Sequence, residues 1–164
     1  MKLKSLLTTI LFFSFLSIFA QETNERKNEI SISPFTLIAG GVNVSYERLL
    51  NQDQSVGIDV FIVPDEFSQV SPYYRMYFGQ KYVNGFFIEG FIPIMNKDYY
   101  NYTNNRTINR TLVGVGFGIG AKWVLKRNIL LEVSGGIGRM VGSFENYDSD
   151  FITGKGKLGI GYRF

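Results

Sequence analysis

The last nine residues, Gly156-Lys157-Leu158-Gly159-Ile160-Gly161-Tyr162-Arg163-Phe164, constrain the fold of this chain most. Leu158, Ile160, Tyr162 and Phe164 alternate with Lys157, Gly159, Gly161 and Arg163, and the sequence closes on an aromatic ring. A period of two sends the two sets to opposite faces of one strand. A strand with lipid on one side and a packed polar lumen on the other can keep that alternation to its final residue.

The other terminus points to export. Lys2 and Lys4 precede an apolar run from Leu6 to Phe19 that only Ser and Thr interrupt, and Ala20 is followed by Gln21 and Glu22. This is the pattern of a secretory signal peptide over residues 1–20, with cleavage expected after Ala20. A membrane-spanning helix needs roughly 20 apolar residues, more than this segment offers. No later stretch is apolar enough for one. There are no cysteines, so neither a lipoprotein anchor nor a disulfide framework is available. The formal charge of +3 includes Lys2 and Lys4. Without them the chain is nearly neutral, and nucleic acid is not an expected partner.

Residues 21–28 (QETNERKN) read as a polar periplasmic tail, and residues 29–164 as one barrel domain. Eight alternating segments follow the tail: Glu29–Ile38, Val42–Leu50, Ser55–Val63, Val70–Phe78, Gly85–Ile94, Thr111–Leu125, Ile129–Val141 and Ile152–Phe164. Each is as long as a tilted membrane strand or longer. Asn51–Gln54, Gly79–Asn84 and Lys126–Asn128 are short turns. Pro64–Gln69, Met95–Arg110 and Gly142–Phe151 are mostly longer and more polar, while Ala39–Gly41 is a tight turn on that same side. Short turns at one end and long loops at the other are the asymmetry of an outer-membrane barrel. Pro34 interrupts the first segment and predicts a bulge or a change of phase.

Phase assigns the faces. Val56, Ile58, Val60 and Ile62 point outward. So do Tyr74, Met76 and Phe78, then Phe86, Ile88, Ile92 and Ile94, then Val113, Val115, Phe117 and Ile119, and finally Ile129, Leu131, Val133 and Ile137. Trp123 and Tyr162 fall near the periplasmic ends, where amphipathic rings sit at a membrane interface. The opposite face carries Glu47, Asp59, Arg75, Glu89, Lys122, Glu132 and Lys157, with Arg163 below and Lys155 above. Spacing from the short turns places the first six in one layer low in the lumen. Buried charges persist only when paired and hydrogen-bonded. The expected pairs are Lys122 with Glu132, Arg75 with Glu89, and Glu132 with Lys157, while Arg75 serves as the cation between Glu47 and Asp59. Such a layer fills a narrow lumen in place of an apolar core; the competing reading is a gate whose pairs exchange partners. Gly114, Gly116, Gly118 and Gly120 share the inner face of the sixth segment and make room for Tyr73, Phe87 and Phe91.

Several chemistries are excluded or weakly supported. The chain has no histidine, so a Ser-His-Asp site and a histidine metal site are both impossible. The expectation is a protein that is not an enzyme and takes no cofactor or metal. Gly116-Phe117-Gly118-Ile119-Gly120-Ala121 matches a loose dinucleotide fingerprint, but its glycines alternate within a strand and no helix follows. Glu145, Asp148 and Asp150 share a loop without calcium-loop spacing, which reads as a solvated loop. The stretch 96–110 (NKDYYNYTNNRTINR) has the residue types of a recognition loop. Its glycosylation patterns at Asn101, Asn105 and Asn109 carry little weight in a bacterial setting.

Val44-Ser45-Tyr46-Glu47-Arg48-Leu49-Leu50-Asn51, Ser71-Pro72-Tyr73-Tyr74-Arg75, Phe86-Phe87-Ile88-Glu89-Gly90, Gly120-Ala121-Lys122-Trp123 and the closing Ile160-Gly161-Tyr162-Arg163-Phe164 together resemble small outer-membrane barrels of the OmpX and OmpA-barrel kind. The resemblance implies insertion by the barrel assembly machinery, which reads the terminal strand through Leu158, Ile160, Tyr162 and Phe164. It implies no enzymatic activity, and no peptidoglycan-binding domain is expected after the barrel.

The expected protein is an all-β, eight-stranded antiparallel up-and-down barrel in the outer membrane of a Gram-negative bacterium, with outer-membrane lipid around it. Its expected role is structural, or one of surface interaction with a ligand through loops 96–110 and 142–150. A small gated pore is the alternative. A third reading, a secreted lipocalin-like barrel, requires the reverse assignment of faces, with Ile and Val inside.

Overall fold

A computed structural model of the chain describes residues 26–79, 83–101, 106–141 and 152–164; for 97–101 and 106–110 the description covers the backbone. The expected signal peptide at 1–20, most of the 21–28 tail and the loop 142–150 with its three carboxylates lie outside these residues. Nine strands form in chain order: β1 (Asn28–Ile32), β2 (Val42–Leu49), β3 (Gln54–Val63), β4 (Phe67–Tyr77), β5 (Gly85–Phe91), β6 (Ile94–Asn101), β7 (Arg106–Val124), β8 (Ile129–Val141) and β9 (Ile152–Arg163). A single helical turn and a half, α1 (Pro34–Ile38), separates β1 from β2.

Both β5 and β6 lie between β4 and β7, one above the other, so nine strands fill eight positions of a closed antiparallel meander. β1 closes the wall against β9, with Glu29 opposite Arg163 and Ile32 opposite Ile160. The seam ends in a reciprocal pair: the Asn28 N–H donates to the Phe164 carbonyl at 3.0 Å, and the Phe164 N–H donates back at 2.8 Å. This end, with both chain ends of the barrel, is called the lower end. The short turns Asn51–Gln54 and Lys126–Asn128 also lie there. At Lys126–Asn128, Arg127 and Asn128 both take positive φ (65° and 60°), the conformation that joins two twisted strands tightly.

Three expectations need correction. The first segment does not run to Ile38. Ser33 is extended, and Pro34, with φ fixed and no N–H to satisfy, opens α1 at its first turn. α1 then lies beside β9 and β2, above the point where β1 stops. The fifth segment is broken at Ile92-Pro93 into β5 and β6, because Pro93 has no donor for the ladder. Its alternation survives the break: Glu89, Phe91, Pro93 and Met95 are buried while Ile92 and Ile94 are exposed. Finally, 96–110 is not a loop on both sides of its tip. Asn96 pairs with Thr111 and Asn101 with Arg106, so most of it continues the wall upward as a two-stranded ribbon.

The outward residues named from sequence are exposed or half-buried, and the inward set is buried. Ile and Val therefore stand outside and charge inside, the reverse of a lipocalin-like interior. The lower lumen is capped by Leu49, Tyr77, Val83 and Phe87, and the upper lumen by Met95, Leu112 and Met140 with Phe67 against them. Eight strands leave an interior just wide enough for side chains. Glycine sets where the large ones go. Phe91 lies directly across from Gly116, and Phe87 across from Gly120, where an added Cβ would stand 2.5 Å from Phe87 Cζ. A Cβ at Gly116 would strike the Phe91 ring, whereas one at Gly156 meets nothing within 4 Å.

That contrast predicts two outcomes from the same chemical change. Gly116→Val is expected to lower the stability of the refolded barrel by about 1–3 kcal/mol through overpacking. Gly156→Val is expected to stay within about 0.5 kcal/mol. Urea unfolding midpoints in one detergent compare them, and equal losses would contradict the packing assigned to Phe91.

Candidate functional site: the charged lumen

Arg75 is fully buried on β4, and its guanidinium meets three carboxylates. Nη1 lies 2.7 Å from Glu47 Oε2, Nε 2.8 Å from Glu89 Oε2, and Nη2 2.8 Å from Glu132 Oε1. A second bond from Nη1 to Glu132 Oε2, at 3.1 Å, makes the Glu132 contact a two-pronged one. The rings of Tyr73 and Phe87 each lie 4.3 Å from the guanidinium carbon. A planar, weakly hydrated cation suits such a slot better than an ammonium would.

Glu47 collects donors from three other elements of the wall, β3, β4 and β7. Besides Arg75 it accepts from Lys122 Nζ (2.8 Å), Ser55 Oγ (2.6 Å), Tyr77 Oη (2.6 Å) and Tyr73 Oη (3.2 Å). Lys122 Nζ also reaches Glu29 Oε2 at 2.6 Å. Glu29 in turn accepts from Arg163, whose Nε lies 2.6 Å from Oε1 and whose Nη2 also donates to the Val83 carbonyl at 2.9 Å. The network thus reaches the lower apolar cap. Higher up, Lys155 Nζ lies 2.9 Å from Glu89 Oε1 and 3.4 Å from Asp59 Oδ2, between the rings of Tyr73 and Phe91. The Asn43 side-chain amide donates to Asp59 Oδ1 at 2.5 Å. Lys157 Nζ donates to Ser31 Oγ and Ser45 Oγ at 2.8 and 2.6 Å, with Glu132 Oε1 farther away at 3.8 Å.

Among the described residues the ion-paired set is five carboxylates (Glu29, Glu47, Asp59, Glu89, Glu132) and five cations (Arg75, Lys122, Lys155, Lys157, Arg163). The formal charge of the set is zero. It does not form one low layer. It runs from Glu29 and Arg163 at the lower end up to Asp59 and Lys155. Arg75 faces Glu89 across its strand pair and bonds to it. Lys122 faces Glu132 in register, yet its ammonium goes across the lumen to Glu29 and Glu47. Arg75 does not bridge Glu47 to Asp59, because Asp59 is taken by Lys155 and Asn43. Glu29 was absent from the residues singled out by sequence. Its signal was the alternation of Glu29, Ser31 and Ser33 with Ile30 and Ile32, obscured by the Pro34 interruption.

The remaining singled-out residues lie on the outer wall. Leu158, Ile160, Tyr162 and Phe164 are exposed in a column on β9, and Trp123 and Tyr162 are exposed near the lower end. The Tyr162 hydroxyl accepts from Arg26 Nη1 at 3.1 Å. Among the described residues no cluster of three or more His, Cys, Asp or Glu is arranged to hold a metal, and no helix is long and apolar enough to cross a membrane, which leaves crossing by strands open.

A family model described as "Protein of unknown function (DUF3575)" matches residues 6–157, and the chain belongs to that family. No curated protein matches it by sequence. In fold it is similar to the crystal structure of the N-terminal β-barrel domain of Pseudomonas aeruginosa OprF. The TM-score is 0.59 at 16% identity, over 85% of this chain and 98% of that one.

The lumen geometry ranks its own variants. Arg75→Met removes the cation shared by three buried carboxylates and leaves Glu132 with only the more distant Lys157, and is expected to cost about 3–5 kcal/mol. Lys157→Met leaves Glu132 on Arg75 and is expected to cost about 1–3 kcal/mol. Denaturant midpoints of the refolded proteins test this order, and a Lys157 variant weaker than the Arg75 variant would reverse it.

Proposed function

We propose that this member of the DUF3575 family spans the outer membrane of a Gram-negative bacterium as a barrel closed by its own charges, and that it acts at the cell surface through what stands above the wall. The observation that carries the reading is the neutral network of five acids and five bases among the described residues inside, with a buried apolar cluster of Leu49, Tyr77, Val83 and Phe87 below it and one of Met95, Leu112 and Met140 above. Charges held in mutual pairs across the lumen favour a closed barrel over the gated pore. Around it the outward Ile, Val, Leu and Phe side chains suit lipid, and Trp123 and Tyr162 suit the inner interface.

Strand length supports the surface role. A tilted strand crosses the hydrocarbon in about 9–11 residues. β7 has 19 residues, and its upper part pairs with β6 as a ribbon. With the lower interface at Trp123, the ribbon stands outside the cell. The terminal column of Leu158, Ile160, Tyr162 and Phe164 is the segment the barrel assembly machinery would read. A non-catalytic role is supported by the pairing of the lumen carboxylates with bases.

The test combines outer-membrane fractionation with heat-dependent gel mobility, on the native chain and on a variant lacking 97–109. Both are expected in the outer membrane with heat-modifiable mobility, and the shortened one is expected to lose a cell-surface property such as adherence or phage sensitivity. A folded native chain in the soluble fraction would overturn the membrane reading. A shortened variant unchanged in every surface property would overturn the surface role.

A further inference from the structure

On the outer wall β7 and β8 hold between them a groove of about 450 Å³, lined by Val115, Phe117, Ile137, Arg139 and Ile152 over the backbone of Gly116 and Gly138. Its flanking side chains stand unusually free: Val115 is 63% exposed, Ile137 68% and Ile152 70%, against 36% for Leu131 and 38% for Val56 on the same outer surface. The cause is in the register. Ile137 is opposite Gly154 on β9, and Gly135 is opposite Gly156, so the stretch of the neighbouring column between Ile152 and Leu158 offers no side chain to pack against. A Cβ built at Gly154 or Gly156 meets nothing within 4 Å.

Arg139 breaks the apolar column of β8. Ile129, Leu131, Val133, Gly135 and Ile137 precede it on the same face. Residues 129–138 therefore use up the length with which a tilted strand crosses hydrocarbon. In the orientation proposed above, on which this step rests, Arg139 stands at headgroup level on the outer leaflet, with the groove beside it in the acyl region.

We infer that this groove is a binding site for a phosphate-bearing lipid of the outer leaflet, with Arg139 on the phosphate and an acyl chain lying along Val115, Phe117 and Ile137. The chemistry matches at both ends. A guanidinium binds phosphate through two parallel N–H bonds, and with five donors it keeps capacity for phosphate while engaged elsewhere on the protein. A narrow apolar channel in the wall fits a flexible chain. A second copy of this chain fits worse. A two-fold contact over the groove brings two Arg139 side chains together, and among the described residues that line the groove none is acidic.

The test reconstitutes the mature chain in nanodiscs of phosphatidylcholine doped with a phosphorylated glycolipid or with an uncharged glycolipid of equal chain length. Lipid retained after extraction into mild detergent is counted by native mass spectrometry. The native chain is expected to retain the phosphorylated lipid preferentially. Arg139→Gln is expected to lower that retention about tenfold or more, with Arg139→Lys recovering part of it. Gly154→Leu, which fills open space beside Ile137, is expected to lower retention of the phosphorylated lipid while heat-modifiable mobility is unchanged. Equal retention of the two lipids, no effect of Arg139→Gln, or dimer formation in place of lipid adducts would each overturn the site. Failure of the native chain to enter the nanodisc would instead overturn the membrane reading beneath it.

Discussion

Everything inside this barrel is arranged around one guanidinium. Arg75 is held by Glu47 on β2, Glu89 on β5 and Glu132 on β8, and by the faces of Tyr73 and Phe87. From those carboxylates the network passes to Lys122 on β7, Glu29 on β1, Lys155, Lys157 and Arg163 on β9, and through Lys155 to Asp59 on β3. Every position of the wall supplies at least one member. A slip of one residue in any pairing would carry its charge to the outer surface and strand a partner in the lumen. Long-range charge pairing thus fixes the register that apolar packing fixes in a soluble core.

The arrangement needs space as much as charge. Two phenylalanines flank the network, and each lies over a glycine of the neighbouring strand, Phe91 over Gly116 and Phe87 over Gly120. The bare backbone lets the rings lie flat across the ladder and form the slot around Arg75 and Lys155. Other glycines do the opposite work. Gly135, Gly154 and Gly156 turn outward, and the absence of side chains there hollows the outer wall beside Ile137. One residue type, shifted by one register step, makes room inside or outside.

Much of the fold was legible because alternation is a local property. Strand positions, facing and the closing strand follow from residues two apart, and β8 and β9 match their expected spans almost to the residue. The misreadings have local causes. Pro34 hid the short β1 and with it Glu29, and the polar stretch 96–110 carries no hydrophobic period from which its strand pairing could be read. The charged residues were legible, but not their partners. Arg75 and Glu132 are 57 positions apart, and Lys122 and Glu29 are 93 apart. Which ammonium reaches which carboxylate depends on the closure of the wall and the length of each side chain across the lumen. Neighbouring strands in register, as Lys122 and Glu132 are, need not bond when a better-placed acid lies opposite.

Planar-bilayer conductance of the refolded mature chain tests the central claim most directly. A lumen filled by a neutral ion network between two apolar caps predicts stable insertion with no conductance steps. Discrete steps that change in size or frequency when Arg75 or Glu89 is replaced would contradict it and make the same residues the gate of a pore.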